Sequence, residues 1–321
     1  MKRFKVMLEV LRPVHIGNGV KYGPLEYYVE AGKLNRVDFQ RMVSDPEFAK
    51  HSDSIINFAL NKGSMRSIRE IACGLAEKYP LYSLELKYAS LQQGHSQEVQ
   101  EQIKTNGMPY IPASSIKGSL LTAIAYDYFS KNSHELSEIR EYGYHRRGKE
   151  AERIIEKAIG SIFTGNAAIQ PFDRKQDRFL RWLRISDPAP VPLDRLYVAS
   201  IATYPRGPPL IMEMIKQGTK FELEFEPTEG VDLGKILDKA NTFYSRVLER
   251  ENQWRARHGL SRLDFSAYMR NGKQAIVKVG SGSSKIATSM ALLRGDPEPK
   301  TRKLVIPEKE PIGWISLCIA E

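Results

Sequence analysis

The sequence Tyr110-Ile-Pro-Ala-Ser-Ser-Ile-Lys-Gly118 marks the passage from an extended segment into a helix. Pro112 favours extended backbone before it, and Ser114 or Ser115 carries the side chain of a helix N-cap. The Leu-, Ala- and Tyr-rich residues that follow predict a helix. Lys117 then lies in the first turn, where free backbone N–H groups favour a phosphate. A plain capped helix with a solvated lysine is an equal alternative.

Alternating polar and apolar residues predict strands over residues 4–10, 82–88 and 220–226. Further strands are predicted over residues 25–36 (a hairpin), 183–187, 195–204, 210–215, 275–279 and 314–319. Residues 38–78 predict mostly helix, and a long helix begins at Leu233 with one apolar stripe, namely Ile236, Leu237, Ala240, Phe243, Tyr244, Val247 and Leu248. Strands in pairs with one long helix per half predict an α+β fold of two ferredoxin-like units, residues 1–130 and 183–321, around a charged insertion, residues 131–182.

Composition narrows the classes of function. The 321 residues are 41% hydrophobic, which suffices for a substantial core, and the net charge of +10 with a pI near 9.4 favours a polyanionic partner. A basic protein with no nucleic-acid partner is the alternative. No apolar run approaches a membrane helix and the N-terminal residues do not resemble a signal peptide. The two cysteines, Cys73 and Cys318, lie far apart, so we expect a reducing cytoplasm, no metal site and no cofactor.

Two glycine-rich segments could approach an anion. In His15-Ile-Gly-Asn-Gly19, followed by Lys21, the glycines let the backbone turn sharply and present N–H groups. An ordinary turn with a hydrogen-bonded histidine is the favoured alternative. Gly280-Ser-Gly-Ser-Ser-Lys285 lacks P-loop spacing, so an NTPase is excluded. Its backbone and hydroxyl donors, with Lys278 nearby, suit a sugar-phosphate backbone, although a flexible surface loop is a serious alternative.

The charged insertion offers basic residues that include Arg146, Arg147 and Arg178, with aromatic residues among them that could stack on bases. Acidic residues are interspersed throughout. Much of this segment is therefore predicted to be a solvated face.

Together these segments resemble the RAMP superfamily of CRISPR-associated proteins, and within it the fifth-subunit family of the Csm (type III-A) effector complex. The His15–Gly19 segment is similar to the family's first glycine-containing loop. The Tyr110–Gly118 segment is similar to its Ile-Pro-Gly-Ser-Ser-[Ile/Leu]-Lys-Gly motif, with Ala113 in place of the usual glycine. The Gly280–Lys285 segment occupies the place of its C-terminal glycine-rich loop.

The resemblance implies two ferredoxin-like (RRM-like) units with an inserted thumb-like segment. It also implies an RNA-binding subunit that caps the effector complex, holds the 3′ part of the guide RNA and aids guide maturation and target RNA binding. The RNA-binding residues that it implies are His15, Gly17, Asn18, Gly19, Lys21, Ser114, Ser115, Lys117, Gly118, Arg146, Arg147, Arg178, Gly280, Ser281, Gly282, Ser283 and Lys285. The implied partners are guide (CRISPR) RNA, target RNA, other Csm subunits and, as an open case, recruited host nucleases.

Catalysis is not expected. Backbone subunits of such complexes cleave target RNA with an aspartate in the loop after the first glycine motif, whereas residues 20–30 here offer Glu26 and Glu30 but no aspartate. The alternative function is a metal-independent endoribonuclease that processes guide precursors with His15 as general base. A scaffold whose basic surface meets acidic proteins is a third reading.

Overall fold

The frame of the protein is two β-sheets. The computed structural model describes residues 2–60, 68, 72, 74–87, 98–135, 156–163 and 182–320. The strands are β1 (Phe4–Val10), β2 (Gly17–Tyr22), β3 (Tyr27–Glu30), β4 (Lys33–Val37), β5 (Pro80–Leu86), β6 (Val99–Gln102), β7 (Lys104–Thr105), β8 (Met108–Pro109), β9 (Leu183–Ile185), β10 (Leu196–Tyr204), β11 (Leu210–Ile215), β12 (Lys220–Pro227), β13 (Gln274–Lys278), β14 (Arg302–Val305), β15 (Glu310–Pro311) and β16 (Trp314–Ile319). The helices are α1 (Phe39–Val43), α2 (Ser52–Leu60), α3 (Ala113–Lys131), α4 (Leu233–Arg257), α5 (Lys285–Thr288) and α6 (Ala291–Arg294).

The first sheet has five strands in the order β13-β16-β1-β12-β9, and every neighbouring pair is antiparallel. Strand β1 lies at its centre. Val6, Leu8 and Val10 are buried while the residues between them are less so, since successive side chains of a strand point to opposite faces. The alternation predicted from the sequence is thus confirmed for this strand.

The second sheet follows the path β2-β6-β11-β10-β5-β4-β3, and β14 and β15 branch from β10. Strand β10 pairs with β11 along one side. Its other side is shared between β5, near its start, and β14, near its end. Strands β3 and β4 form the predicted hairpin. Residues 11–16, between β1 and β2, therefore connect the two sheets.

Helices α3 and α4 pack against each other and against the first sheet. The rings of Tyr126 on α3 and Phe243 on α4 lie with centroids 4.9 Å apart, and Tyr244 contacts the ring of Trp314 on β16. Every residue of the apolar stripe predicted on the long helix is buried. The 3.6-residue period of that stripe therefore specified which face of α4 meets the core.

The predicted α+β class is confirmed. Both sheets combine strands from residues 1–130 with strands from residues 183–321, and the division into units at those boundaries stays a prediction. Within the part of the chain that the structure describes, no helix is long and apolar enough to cross a membrane.

Candidate nucleic-acid interface

Three of the segments singled out in the sequence meet where the two sheets join. The Ser281 backbone N–H donates to the His15 carbonyl oxygen at 2.9 Å. Ser119 on α3, one residue after the Tyr110–Gly118 segment, donates through its hydroxyl to the carbonyl oxygen of Lys278, at 3.0 Å. The two glycine segments thus contact each other directly, and the helix that follows the serine-lysine segment contacts β13 just before the second glycine segment, although the three are distant in sequence.

The first glycine segment is not the loop that the sequence predicted. Residues from Gly17 onward form β2, which pairs with β6 through an irregular register between Gly17 and Lys21. Gly17, Asn18 and Gly19 are exposed, and Gly19 has a φ of +89°, which favours glycine. Lys21 is exposed and pairs with Glu98, with a nitrogen–oxygen distance of 3.2 Å. A run of glycines at a sheet edge gave no alternation by which a strand could be predicted.

His15 is buried, with 3% of its surface exposed. Its Nδ1 donates to the carbonyl oxygen of Glu213 at 2.8 Å. Burial lowers the pKa of His15 below its usual 6.5, and the positive charges of Lys303 and Lys104 act in the same direction. A neutral imidazole held in this way fits the predicted hydrogen-bonded histidine, which fixes the connection between the sheets.

A buried carboxylate that sequence analysis missed lies beneath this connection. Glu213 on β11 has no exposed surface. It accepts hydrogen bonds from the hydroxyls of Tyr22 at 2.9 Å and Tyr82 at 2.8 Å, and from the backbone N–H of Gln102 at 3.0 Å. Lys104 Nζ lies 2.5 Å from its second oxygen.

This Glu213 network joins strands β2, β5, β6 and β11. Burial, together with the negative charge of Glu213, raises the pKa of Tyr22 and of Tyr82, so both hydroxyls stay protonated and donate. The signal in the sequence was a single charged residue inside the apolar run Leu-Ile-Met-Glu-Met-Ile of residues 210–215. A carboxylate in a buried strand is costly unless it is hydrogen-bonded or paired with a cation, so a glutamate at this position indicates polar partners on neighbouring strands.

The start of α3 differs from the sequence prediction. Ala113 is the first helical residue and Pro112 occupies the N-cap position, so neither Ser114 nor Ser115 caps the helix. The cap comes from Asp187, whose Oδ1 accepts the Ala113 N–H at 2.7 Å. Because proline has no side-chain acceptor, a residue from another segment supplies one. Ser114 is thereby left exposed on the first turn.

Lys117 and Gly118 lie on the same turn of α3. Lys117 is half-buried, and its ammonium lies 5.5 Å from the centre of the Trp182 ring, within the range of a cation–π interaction. Partial burial lowers the pKa of Lys117. Gly118 is exposed, and apart from adjacent residues and the backbone of the helix itself, no atom lies within 4 Å of the position that a Cβ would take there. Lys117 is thus the fifth helical residue, beyond the first turn in which the sequence placed it, and its ammonium lies beside a glycine with open space around it.

The second glycine segment is an ordered turn rather than a flexible loop. Residues 280–282 form a 3₁₀ turn, and Gly280 has a φ of +70°. A Cβ at Gly280 would overlap the His15 carbonyl oxygen, and one at Gly282 would overlap that of Ile312. Both glycines are needed because backbone packs directly on backbone here. Ser281 and Ser283 are half-buried.

The two lysines that flank the turn are both paired. Lys278 is buried with 3% of its surface exposed, and its Nζ lies 3.3 Å from Glu251. It therefore cannot contact a ligand at the surface as the sequence suggested. Lys285 is exposed at the start of α5 and lies 2.8 Å from Asp296.

The basic residues of the insertion that were predicted to contact RNA, Arg146, Arg147 and Arg178, lie outside the described residues. Their role stays a prediction.

The sequence is similar to that of a known family and of two known proteins. The RAMP superfamily pattern matches residues 7–283 of the chain. The CRISPR system Cms protein Csm5 of Methanocaldococcus jannaschii is 30% identical over 167 residues, which are 50% of this chain and 40% of that relative. The Csm5 protein of Streptococcus thermophilus is 26% identical over 265 residues, which are 76% of this chain and 70% of that relative.

Two solved structures share the fold. A chain in the cryo-EM structure of a Csm-crRNA-target RNA ternary complex of a type III-A CRISPR-Cas system superposes with a TM-score of 0.67 at 21% identity, covering 98% of this chain and 100% of that one. The crystal structure of T. onnurineus Csm5 superposes with a TM-score of 0.68 at 19% identity, covering 96% and 99%.

Proposed function

Because this chain belongs to the RAMP superfamily, we propose that it is a non-catalytic RNA-binding subunit of a type III-A CRISPR (Csm) effector complex. In this role it caps one end of the complex, holds the 3′ part of the guide RNA, and aids guide maturation and target RNA binding. Its partners are guide RNA, target RNA and the other Csm subunits, in the cytoplasm. Host nucleases recruited to the complex are a further candidate partner.

The observation that carries the proposal is the meeting of the three glycine- and serine-containing segments at the junction of the sheets. The exposed residues of β2 and the first two turns of α3 present glycine backbone, hydroxyls and the ammonium of Lys117. Sugar-phosphate backbone is recognised by this combination of N–H, hydroxyl and cationic donors. The net charge of +10 also favours such a polyanionic partner.

The names of the relatives support the choice of complex. Two Csm5 proteins are similar in sequence, and a chain of an assembly that contains crRNA and target RNA shares the fold. We further propose that residues 1–130 and 183–321 correspond to two ferredoxin-like units, and that residues 131–182 form the thumb-like segment between them.

His15 supports the non-catalytic reading over the endoribonuclease. A general base must come within hydrogen-bond reach of the attacking hydroxyl, whereas His15 is buried with only 3% of its surface exposed. Guide-precursor RNA incubated with the protein in chelator should stay intact. Site-specific products that disappear in His15→Ala would instead establish the endoribonuclease.

Lys117 provides the test of RNA binding. We expect the unaltered chain to bind labelled single-stranded RNA with an affinity that falls with salt, and Lys117→Ala to lower the slope of log affinity against log salt by about 0.7. Lys131→Ala is the matched control, because it removes the same charge from the other end of α3, where Lys131 is exposed and pairs with Asp127.

Equal slopes for the unaltered chain, Lys117→Ala and Lys131→Ala would refute the assignment of Lys117. Absence of RNA binding by the unaltered chain at moderate salt would favour a protein-interaction scaffold.

A further inference from the structure

Lys303 lies at the junction of the sheets but belongs to none of the segments that the sequence singled out. It is on β14, opposite Thr203 of β10. Its Nζ donates to the hydroxyl oxygen of Ser281 at 2.9 Å. Ser281 is the residue whose backbone N–H bonds to the His15 carbonyl. Lys303 therefore adds an ammonium group to the point where the first and second glycine segments meet.

The alternation of β14 directs Lys303 toward the glycine turn. The preceding residue, Arg302, points to the opposite face, where it is buried and its Nε lies 3.4 Å from Glu251. Since neighbouring side chains of a strand face opposite ways, the anchoring of Arg302 in that buried cluster fixes the direction of Lys303.

Lys303 differs from four other lysines of this region in having no acidic partner among the described residues. Lys21, Lys104, Lys278 and Lys285 each lie within 4 Å of a carboxylate. Among the described residues, no carboxylate lies within that distance of Lys303, which is half-buried. Partial burial lowers the pKa of Lys303, and no carboxylate of the described residues offsets this cost to its charged form.

A partly desolvated ammonium without a counter-ion is stabilised by an anion that comes from outside the chain. Ser281 accepts one of the three hydrogens of the ammonium, which leaves hydrogens free for such an anion. The neighbouring glycine turn lets a ligand backbone approach closely. Its hydroxyls and the ammonium suit phosphate oxygens better than an apolar ligand.

We propose that Lys303 contacts a phosphodiester group of the bound single-stranded RNA, and that the Ser281 hydroxyl holds its ammonium in position. This inference rests on the proposed RNA-binding function and adds a contact that lies outside the three motif segments. It also gives Ser281 a positioning role in place of a direct contact through its hydroxyl.

The test is binding of the full-length chain to labelled single-stranded RNA over a series of salt concentrations. Lys303→Met should lower the slope of log affinity against log salt by about 0.7, which corresponds to an affinity loss of about 5-fold at 0.1 M salt. Ser281→Ala keeps the charge, so we expect a smaller loss of affinity with an unchanged slope.

Lys235→Met is the matched control. Lys235 is an exposed lysine in the first turn of α4. Its neighbour Gly234 packs on Gly272, which precedes β13, whereas Gly280 follows β13 at the other end of that strand. Lys235→Met therefore removes the same charge at a place away from the junction. Thermal unfolding of each variant establishes that the fold is retained.

Each outcome decides between the two proposals. Salt-dependent RNA binding by the unaltered chain, with equal slopes for Lys303→Met and Lys235→Met, would overturn the role of Lys303 while leaving the proposed function standing. No RNA binding by the unaltered chain would overturn both.

Discussion

Replacing Glu213 with glutamine tests whether the Glu213 network holds the junction of the sheets. Glutamine has nearly the same shape and can still accept a hydrogen bond from Tyr22 or Tyr82. It removes the negative charge that faces Lys104, whose side chain is only 7% exposed. Glu85→Gln makes the same chemical change on the surface, where Glu85 is 52% exposed and pairs with Lys216 at 2.9 Å.

The expected loss of unfolding free energy for Glu213→Gln is about 3 kcal/mol. Removing one partner of a buried ion pair costs about 3–5 kcal/mol, because the other charge is left buried without compensation. The lower end applies here because Glu101 also lies 3.2 Å from Lys104 and retains part of the attraction. For Glu85→Gln we expect less than about 1 kcal/mol, as for other exposed pairs.

Urea unfolding followed by tryptophan fluorescence measures both changes, since Trp182, Trp254 and Trp314 are all buried and report on the fold. With a slope of about 3 kcal/mol per molar urea, Glu213→Gln should move the midpoint down by about 1 M. Midpoints for Glu213→Gln and Glu85→Gln that agree within about 0.2 M would refute the reasoning, because the buried network would then contribute no more than a surface pair.

The cap of α3 and the burial of His15 give two further expectations. Asp187→Ala should lower the unfolding free energy by about 1 kcal/mol, since it leaves the Ala113 N–H without its acceptor; Asp194→Ala, in an exposed turn, should change it little. His15 has a pKa below 6.5 in the folded chain, so the unfolded chain binds the proton more readily and stability falls as pH decreases through about 6.5. The difference in unfolding free energy between the unaltered chain and His15→Gln should therefore shrink from about pH 7.5 to about pH 5. A difference that stays constant over this range would contradict the prediction.

Periodic burial made some elements predictable. Strand β1 was predicted with the bounds that the structure has, and α4 was predicted to begin at Leu233, because apolar residues recur at the period of a strand or of a helix. Strands β11 and β16 were also predicted with the bounds that the structure has. Strand β2 escaped prediction because five of its six residues are exposed and three of its first four are glycine or asparagine.

The interior of the candidate site could not be predicted because its contacts join distant segments. The acceptor that caps α3 lies on Asp187, 74 residues beyond Ala113. Glu213 meets Tyr22 only because β2, β6 and β11 are neighbours, an order that no local pattern encodes. Lys278 was expected at the surface because a lysine beside a glycine-rich segment is usually solvated, whereas here Glu251 stabilises it in the core.

The central place of β1 in the five-stranded sheet has a consequence for synthesis of the protein. Its two neighbours, β12 and β16, come late in the chain. At about 5–20 residues per second, a ribosome takes about 10–40 s to make the roughly 200 residues that separate Val10 from Lys220. During that time the apolar side of β1 has neither of its neighbouring strands. Strand β1 can therefore complete its hydrogen bonding only after both of the strands that flank it have been made.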